Sequence, residues 1–536
     1  ALAAGRARAE TGRDLSAHVR DGVLEWDAPA GAWLISLVFV RPNAFDPLHA
    51  ESGSRVLARF YAPFEREIGE HLGSTFPVSF QDELDFGSPM PRWSRGLAAE
   101  FLARKGYALA PLLPALWHDL GAITPKVRID YADVVTTLLE EHYFRPIFEW
   151  HEARGLLFGH DNCGRGGIEA GRRAYGDPFR TMRWYSAPGT DDPKLAGARA
   201  FKGLKVNSSI AHLYGRPRVW NECFHSSGWG ATPAEMVAAL NEDFIYGATV
   251  VNLHGLYYST CGGWWEWAPP DFHFRQPYWD HTSPLNGYLT RLCQTLSGGV
   301  HVCDVAILYP ITALEGGLNA RVPVEAGCDI PASEWQAGKT EATLDAAEAA
   351  AFGIGRALVS AGVDFDFVDF QSLERATIAD GKIHVGGESY RALVLPCMSA
   401  VRFSTLEVAR DFCRAGGVVM AYGCLPVASE RAGADDPAVA ALVWEIFGDA
   451  IETHRPRAVF VPSDYAVVVA EIVNRLGRDF DPAGTGLMAL HRRSPTHDTY
   501  FVFNPASRAM AGAVTFRAAG AAEHWDAWTG TTHLLP

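Results

Sequence analysis

The chain is 536 residues long, which is too long for one domain and suits two or three. It carries 47 Lys and Arg against 62 Asp and Glu, and the net charge of -15 argues against a protein that binds nucleic acids or anionic membranes. Hydrophobic residues make up 48% and charged residues 20%, so disorder is excluded as the main state. No apolar run reaches the roughly 18 residues that a membrane-spanning helix needs.

Up to about residue 300, short apolar strands alternate with helical segments, a pattern typical of a parallel α/β fold. Strands are predicted at 34–40, 78–80, 156–159, 218–220 and 249–253, and helices at 98–105, 131–153 and 233–246. Polar residues directly follow several of these strands. All such strand ends open on one face of a (β/α)8 barrel, although an open doubly wound sheet also binds ligands at strand ends. The number of polar clusters favours a (β/α)8-type barrel over residues 1–300.

Two further units are predicted after the barrel. Residues 301–482 show the pattern of a Rossmann-like α/β accessory domain, and residues 483–536 that of the start of a β-sandwich domain. Gly353 and Gly355 lie in a helical pattern and lack the third glycine of a dinucleotide-binding turn, so no organic cofactor is predicted. The chain begins at Ala1 without Met and stops in a strand-like pattern, so we expect it to be part of a longer protein. Its compartment is left open, with a periplasmic or extracellular location slightly favoured.

Several chemistry classes find no support in the sequence. The nine cysteines are scattered without a CxxC pair, which predicts neither a disulfide framework nor a zinc site. No GxSxG, HExxH, P-loop or EF-hand pattern occurs. Aromatic residues, by contrast, crowd between Trp220 and Trp279. They form either part of a large core or a platform on which sugar rings stack.

Acidic residues next to two of the predicted strands are the candidate catalytic groups. Asp82 and Glu83 follow one strand, and because adjacent strand residues face opposite sides, only one of them is expected to face a pocket. Asn221 and Glu222 follow another. Burial under aromatic residues would raise the pKa of Glu222 enough for it to donate a proton, while Asn221 holds a substrate hydroxyl. Two carboxylates facing each other across a barrel mouth are what glycoside hydrolysis needs; solvated loop acids are the alternative.

Other polar and aromatic residues near strand ends are candidates for binding a sugar. The full set is Asp82, His160, Asp161, Asn221, Trp229, His254, Tyr257 and Trp265. Trp229 lies in a Gly-Trp-Gly turn that presents an indole, and His254 offers a hydrogen bond to a ring hydroxyl. His160 and Asp161 suit either hydroxyl groups, a hard cation or a capping network at the start of a loop.

Taken together, the segments 218–230, 249–255 and 276–279 resemble the α-L-rhamnosidases of glycoside hydrolase family 106. Shorter segments agree in the same order, and the resemblance covers nearly the whole chain. It implies an inverting hydrolysis assisted by bound calcium, with the functional acids carried over onto Glu83 and Glu222.

One stretch, residues 182–192, departs from the family pattern. A strand end containing Glu is expected there, and only Asp191 and Asp192 occur. The departure bears on sugar specificity and on whether a third catalytic acid is present.

We therefore predict an exo-acting glycoside hydrolase of α-L-rhamnosides, with a carbohydrate as its partner. Glu222 is the predicted acid and Glu83 the base that activates water, with the two roles exchangeable. Neither the calcium ligands nor the oligomeric state follow from the sequence. One alternative is a non-catalytic sugar-binding relative, and another is a retaining β-glycosidase similar to the family 42 β-galactosidases. The only later nucleophile for that second alternative is Glu266, which lies in a Trp-rich loop.

Overall fold

The chain is described here by a computed structural model. It describes residues 12–33, 35–40, 45–84, 86, 91–162, 165–192, 200–259, 269–317, 321–323, 343–448 and 457–535. Within this part of the chain, a region of alternating strands and helices is followed by a second α/β unit and then by antiparallel hairpins. None of the described helices is long and apolar enough to span a bilayer.

Five parallel strands carry the first region. They are β1 (Val78–Gln81), β2 (Leu157–His160), β3 (Gly189–Asp192), β4 (Trp220–Cys223) and β5 (Val250–Leu253). β1 pairs with β2, and β3, β4 and β5 form a continuous ladder. Parallel bridges from Gly159 to Ala187 and from Asn162 to Thr190 connect β2 to the segment of β3. The strands thus stand side by side in chain order, which confirms the α/β class, while closure into eight strands stays a prediction.

Helices pack between and behind these strands. The main ones are α1 (Leu97–Lys105), α2 (Thr124–Leu139), α3 (Arg145–Glu152), α4 (Ile168–Tyr175), α5 (Ala200–Tyr214), α6 (Pro233–Ile245) and α7 (Thr282–Ser297), with shorter ones at Ser52–Val56, Ala62–Ile68 and Pro178–Thr181. A π-helical turn, Glu140–Phe144, joins α2 to α3, so the helix predicted at 131–153 begins earlier. α6 begins in a capping box, in which Thr232 and Glu235 each accept a hydrogen bond from the other's backbone N–H.

Two strand predictions need correction. β4 begins at Trp220, so Glu222 lies inside a strand that pairs on both sides rather than after its end. Residues 35–40 form no strand, and Leu37 among them is 81% exposed. A strand needs a neighbouring strand to form a ladder, and none of the described strands forms a ladder with this segment, although its apolar pattern favoured one. Residue 34 lies outside the described residues.

The parallel strands curve around an aromatic stack. Phe80 of β1 and Trp220 of β4 stack with their ring centroids 4.6 Å apart, although β2 and β3 lie between their strands. Three strand spacings in a flat sheet would separate them by about 14 Å. The sheet must therefore bend so that both rings face its concave side. Gly159 and Gly189 leave room for Trp220. We call Phe80, Gly159, Gly189 and Trp220 the floor.

We expect Gly159→Ala to disturb this floor. A Cβ at this position would lie 2.7 Å from Cε3 of Trp220, so the indole would have to leave its stacked position. Overpacking of this kind costs about 1–3 kcal/mol, which should lower the urea midpoint. Gly230→Ala is the matched control, because nothing lies within 4 Å of its added Cβ. Equal midpoints for the two variants would contradict the role given to Gly159.

The second α/β unit is built on a five-stranded parallel sheet. Its strands are β6 (Val305–Leu308), β7 (Phe365–Val368), β8 (Ala392–Pro396), β9 (Val418–Tyr422) and β10 (Ala458–Val461), in the spatial order β7-β6-β8-β9-β10. The helices are α8 (Ala346–Ser360), α9 (Phe403–Arg414), α10 (Pro437–Phe447) and α11 (Tyr465–Leu476), with shorter ones at Ile311–Gly316 and Phe370–Glu374. Gly353 and Gly355 lie inside α8, as the helical pattern predicted.

The last region consists of antiparallel strands. β11 (Met488–Arg493) and β12 (Asp498–Phe503) form a hairpin, and β11 also pairs with Val300–His301. The remaining short strands, taken over the whole described chain, are Val19–Arg20, Val23–Leu24, Arg321–Pro323, Thr343–Asp345, Thr377–Ala379, Lys382–Val385, Glu388–Tyr390, Ala428–Ser429, Gly433–Ala434, Phe480–Asp481, Thr515–Phe516, Glu523–Trp525 and Thr532–Leu534. The domain boundaries at residues 300 and 482 stay predictions.

Candidate active site

Acidic side chains line the concave side of the parallel strands, just above the floor. Side chains alternate along a strand, so the residue two positions after each floor residue also faces inward. In four neighbouring strand segments that residue is an acid, namely Asp82, Asp161, Asp191 and Glu222. We call these four residues the inward acids. They lie at the carboxyl ends of the strands, where ligands bind in parallel α/β folds.

Three of the inward acids are in close contact. One carboxyl oxygen from each of Asp82, Asp161 and Glu222 lies within 4.8 Å of the others. Asp161 is fully buried and Glu222 is 7% exposed, whereas Asp82 is exposed. Both carboxyl oxygens of Asp161 lack a hydrogen-bond partner. Like charges this close in a buried setting favour the uptake of a proton or a cation.

Burial and mutual repulsion change the acidity of this group. Burial raises the pKa of Glu222 to about 7, and the nearby charges of Asp191, Asp82 and Glu83 also act to raise it. Burial and the Glu222 charge raise the pKa of Asp161 further. At neutral pH the pair therefore retains a proton that ordinary carboxyl groups would have released. Because the pKa of Asp161 is raised more than that of Glu222, Asp161 holds most of this proton, and the role of Glu222 as proton donor stays a prediction.

Asp161→Asn should remove a pH-dependent loss of stability. Because folding raises the pKa of Asp161, the folded chain holds its proton where the unfolded chain has released it. The free energy of unfolding therefore falls as pH rises above about 4, the pKa of an unfolded Asp. Asn carries no charge, so at pH 8 with EDTA the Tm should rise by about 2 °C or more. Thermal scans from pH 5 to 8 test this, with the exposed Asp280→Asn as control; parallel slopes in all three proteins would contradict it.

Arg165 supplies positive charge beside the inward acids. Its Nη2 lies 2.6 Å from Oδ2 of Asp191 and 3.3 Å from Oε1 of Glu83. Burial raises the pKa of Glu83, and the guanidinium acts in the opposite direction. Glu83 keeps 39% of its side chain exposed. Of the adjacent pair, Asp82 thus lies close to Asp161 and Glu222, while Glu83 pairs with Arg165.

Two predicted sugar-binding residues lie behind the strands. His160 is fully buried, its Nδ1 lies 3.0 Å from the carbonyl oxygen of Gln81, and its ring stacks on Tyr185. Burial lowers the pKa of His160 to about 4. The amide of Asn221 donates a 2.9 Å hydrogen bond to Asp243 of α6. Because each sits one position from an inward acid, alternation turns both toward the helices instead of the pocket predicted for them.

The rim of the site is formed by loops after β4 and β5. The ring of His254 lies 5.1 Å from that of His225 and 6.4 Å from that of Tyr257. Trp229 is half-buried in the loop after β4, and its indole N–H is buried without a hydrogen-bond partner. Trp265 lies outside the described residues. These rim residues offer imidazole, phenol and indole groups above the inward acids.

Sequence reasoning missed two functional residues. Asp191 was noted only as a departure from a family pattern, and Arg165 was not considered. The signal for Asp191 was present, because Gly-Thr-Asp-Asp at 189–192 repeats the arrangement of an acid closing a short strand. Arg165 could be found only from the structure, since its loop brings it across to β3.

The trio of close carboxyl groups also fits a divalent cation. Calcium takes oxygen ligands at about 2.3–2.6 Å, so oxygens on opposite sides of the ion lie about 5 Å apart. The carboxyl oxygens of Asp82, Asp161 and Glu222 are within 4.8 Å of one another. The buried, unpartnered oxygens of Asp161 add a reason to expect a ligand, because such groups are costly to leave unpaired. The donor set is all oxygen, as a hard cation prefers.

Comparison with solved structures shows glycosidase neighbours. A rhamnosidase from Novosphingobium sp. PP1Y superposes with a TM-score of 0.71 at 18% identity, covering 98% of this chain and 50% of that one. A β-galactosidase from Bacillus circulans sp. alkalophilus superposes with a TM-score of 0.59 at 13% identity, covering 90% of this chain and 79% of that one. At such identities the likeness establishes the α/β fold.

Comparison of sequences identifies the family. A protein of Formosa agariphila, described as a candidate beta-glucuronidase, is 23% identical over 559 aligned positions, which cover 97% of this chain and 42% of that protein. The chain thus spans about half the length, or less, of this relative and of the rhamnosidase. The sequence profile of glycoside hydrolase family 106, described as alpha-L-rhamnosidase, matches residues 9–330 and 345–535. The chain therefore belongs to glycoside hydrolase family 106, the alpha-L-rhamnosidase family.

Proposed function

We propose that this protein hydrolyses terminal α-L-rhamnosides with inversion at the anomeric carbon, using Glu222 as general acid and Glu83 as general base. The observation that carries the proposal is the position of Glu222 among the inward acids, where burial raises its pKa to about 7. A carboxyl group that is protonated near neutral pH can donate a proton to the leaving glycosidic oxygen. Family membership supports the choice of sugar.

The assignment of Glu83 as base rests on the exclusion of the other acids of the site. Inverting hydrolysis requires two carboxyl groups about 6.5–9.5 Å apart, so that a water fits beside the sugar. Asp82 and Asp161, with oxygens within 4.8 Å of Glu222, are too close to serve. Glu83 and Asp191 remain as candidates for the general base. Asp191 is 5% exposed and its carboxylate is held 2.6 Å from Arg165, whereas Glu83 is open to solvent and can reach a water.

The shape and charge of the site support a neutral terminal sugar. Phe80 and Trp220 stack directly beneath the inward acids, and a site that is closed on one side suits the last residue of a glycan. The rim offers His254 and Tyr257 for hydroxyl groups and for stacking on the sugar face. Arg165 already pairs with Asp191 and Glu83, so it leaves little positive charge for an anionic sugar such as a glucuronide.

The proposal also includes a bound calcium ion. Asp82 and Asp161 are the residues that would hold it, with the cation replacing the proton that Asp161 otherwise keeps. When bound, calcium supplies positive charge and coordinates sugar hydroxyls. Glu222 is kept out of this ligand set because an acid catalyst must carry a proton. Calcium titration therefore separates the roles: Asp161→Asn should lose binding and Glu222→Gln should retain it.

Proton NMR of the purified chain with calcium and aryl glycosides tests the function. The panel should contain an α-L-rhamnoside, a β-D-galactoside and a β-D-glucuronide. β-L-Rhamnose as the first product would support both substrate and inversion, and the α-anomer first would overturn inversion. Turnover of another glycoside alone would overturn the sugar assignment. If an oligosaccharide binds without turnover, and Glu222→Gln binds it equally well, the chain is a non-catalytic relative.

A further inference from the structure

A second cluster of metal-binding side chains lies apart from the inward acids, where the first region meets the second α/β unit. His212 belongs to α5, Asp366 to β7, and His301 and Glu388 to two short strands. Each of the four offers one ligand atom, and these atoms lie within 4.8 Å of one another. Three of the side chains are buried, and His212 is half-buried. The cluster thus joins segments that are far apart in the sequence.

The distances between the donor atoms match those around a small cation. Nδ1 of His212 lies 2.9 Å from Oδ1 of Asp366, and Nδ1 of His301 lies 3.2 Å from Oδ2 of Asp366 and 3.5 Å from Oε2 of Glu388. Ligand atoms bound tetrahedrally at about 2.0–2.2 Å from zinc are about 3.3–3.6 Å apart. The three printed contacts are within about 0.5 Å of this range, and the other donor atoms of the cluster lie no more than 4.8 Å apart.

The environment of His301 is also typical of a zinc ligand. Its Nε2 lies 2.8 Å from Oδ2 of Asp364, and Oδ1 of Asp364 accepts a 2.8 Å hydrogen bond from Nζ of Lys205. Metal-bound histidines usually donate their other ring N–H to a carboxylate in this way. With Nε2–H donating to Asp364, the Nδ1 lone pair of a neutral His301 faces the carboxylates of Asp366 and Glu388. Lone pair and carboxylates repel unless a proton or a cation lies between them.

The charge of the cluster favours a bound cation. Asp364, Asp366 and Glu388 bring three negative charges, and Lys205 and the nearby Arg492 bring two positive charges, so one negative charge is uncompensated when the histidines are neutral. Oε2 of Glu388 has no hydrogen-bond partner although its side chain is only 3% exposed. A buried carboxylate without a partner is costly. A bound cation would offset the remaining negative charge and give this oxygen a partner.

We propose that His212, His301, Asp366 and Glu388 form a structural zinc site that fixes α5 against the second α/β unit. Two imidazoles and two carboxylates are ligands that zinc accepts in tetrahedral sites, and imidazole favours zinc over calcium or magnesium. The cysteine spacing that excluded zinc from the sequence has no bearing on this site, since none of its four ligands is a cysteine. A closed set of four protein ligands indicates a structural ion.

The competing arrangement has a proton in place of the metal. Burial acts to lower the pKa of His301, but Asp366 and its neighbours more than offset it and hold that pKa well above its usual range. An imidazolium at His301 would donate to Asp364 and Asp366. It would balance the charge of the cluster, but its Nδ1 lies 3.5 Å from Oε2 of Glu388 and forms no hydrogen bond to that oxygen. A zinc ion would give Oε2 of Glu388 the partner that it lacks, so substitution of Glu388 provides the sharpest test.

The test measures zinc in the full chain after stripping with chelator, reloading with Zn²⁺ and gel filtration. Glu388→Gln keeps the shape of the side chain and removes its charge, and His212→Gln removes a ligand at the half-buried side. Asp161→Asn is the control for metal held by the inward acids. We expect one zinc per chain in the wild type and in Asp161→Asn, and an affinity at least about 10-fold weaker in Glu388→Gln and His212→Gln. Competition with a chromophoric chelator gives the affinities.

A second measurement keeps the proposal testable if a variant fails to fold. Co²⁺ loaded into the wild-type chain should give the intense visible bands of a tetrahedral ion without sulfur charge-transfer bands. Loss of zinc only in Asp161→Asn would move the ion to the inward acids and overturn the proposal. So would equal affinities in all four proteins, an octahedral cobalt spectrum or the absence of bound zinc. The last result would assign the cluster to a protonated His301.

Discussion

Glu222→Gln should lower kcat on an aryl α-L-rhamnoside by at least about 100-fold, because removal of a general acid costs a factor of about 10² to 10⁴. Gln has nearly the same shape as Glu but has no proton to give to the leaving oxygen. Its neutral amide also ends the repulsion with Asp161, so the variant should fold at least as well as the wild type. Substrates with a good leaving group, which need less protonation, should lose less rate than those with an alkyl leaving group.

The pH profile gives an independent readout of the same group. A general acid works only while protonated, so the wild-type rate should fall as pH rises through the pKa of Glu222; burial raises this pKa, and calcium bound at Asp82 and Asp161 would lower it. Glu222→Gln should lack this alkaline limb. Glu407→Gln, at an exposed position on α9, is the control and should behave as wild type. If Glu222→Gln kept near-wild-type turnover, the assignment of the acid would be wrong.

Glu83→Gln should lower kcat about as much as Glu222→Gln does, because a base must be ionised whereas an acid must be protonated. The base must be ionised to take a proton from water, so the rate should rise with pH through the pKa of Glu83, which burial raises from its ordinary value. The variant should lose this acidic limb and at least about 100-fold in kcat. Azide, which attacks without needing a base, should restore part of the rate and yield the β-glycosyl azide.

Asp191→Asn distinguishes the two candidates for the base. Glu83 and Asp191 both contact Arg165. Asp191 is buried and its Oδ2 lies 2.6 Å from Nη2 of Arg165, so Asp191→Asn should act by releasing the guanidinium. We expect this variant to keep the acidic limb of the pH profile and to gain nothing from azide. The reverse outcome, with azide rescuing Asp191→Asn and leaving Glu83→Gln inactive, would make Asp191 the base.

Much of the local structure could be predicted because it depends on neighbouring residues. The strands predicted at 78–80 and 249–253 and the helix predicted at 98–105 occur within one residue of those bounds, since apolar strand runs and helical patterns act over a few positions. Residues 35–40 have an equally strong apolar pattern and form no strand, because pairing depends on a distant segment. β3, with the unremarkable sequence Gly-Thr-Asp-Asp, becomes a strand because β4 and the segment of β2 flank it.

For the site, the sequence by itself indicated that acids stand at or near the ends of predicted strands, and so it named Glu222, Asp82, Glu83 and Asp161. Only the tertiary structure decided which of them meet. The bend of the sheet over Phe80 and Trp220 carries the carboxyl ends of β1 and β4 toward each other and turns His160 and Asn221 to the helices. Proximity and burial set both repulsion and acidity, and these depend on distances through space that residue spacing along the chain does not contain.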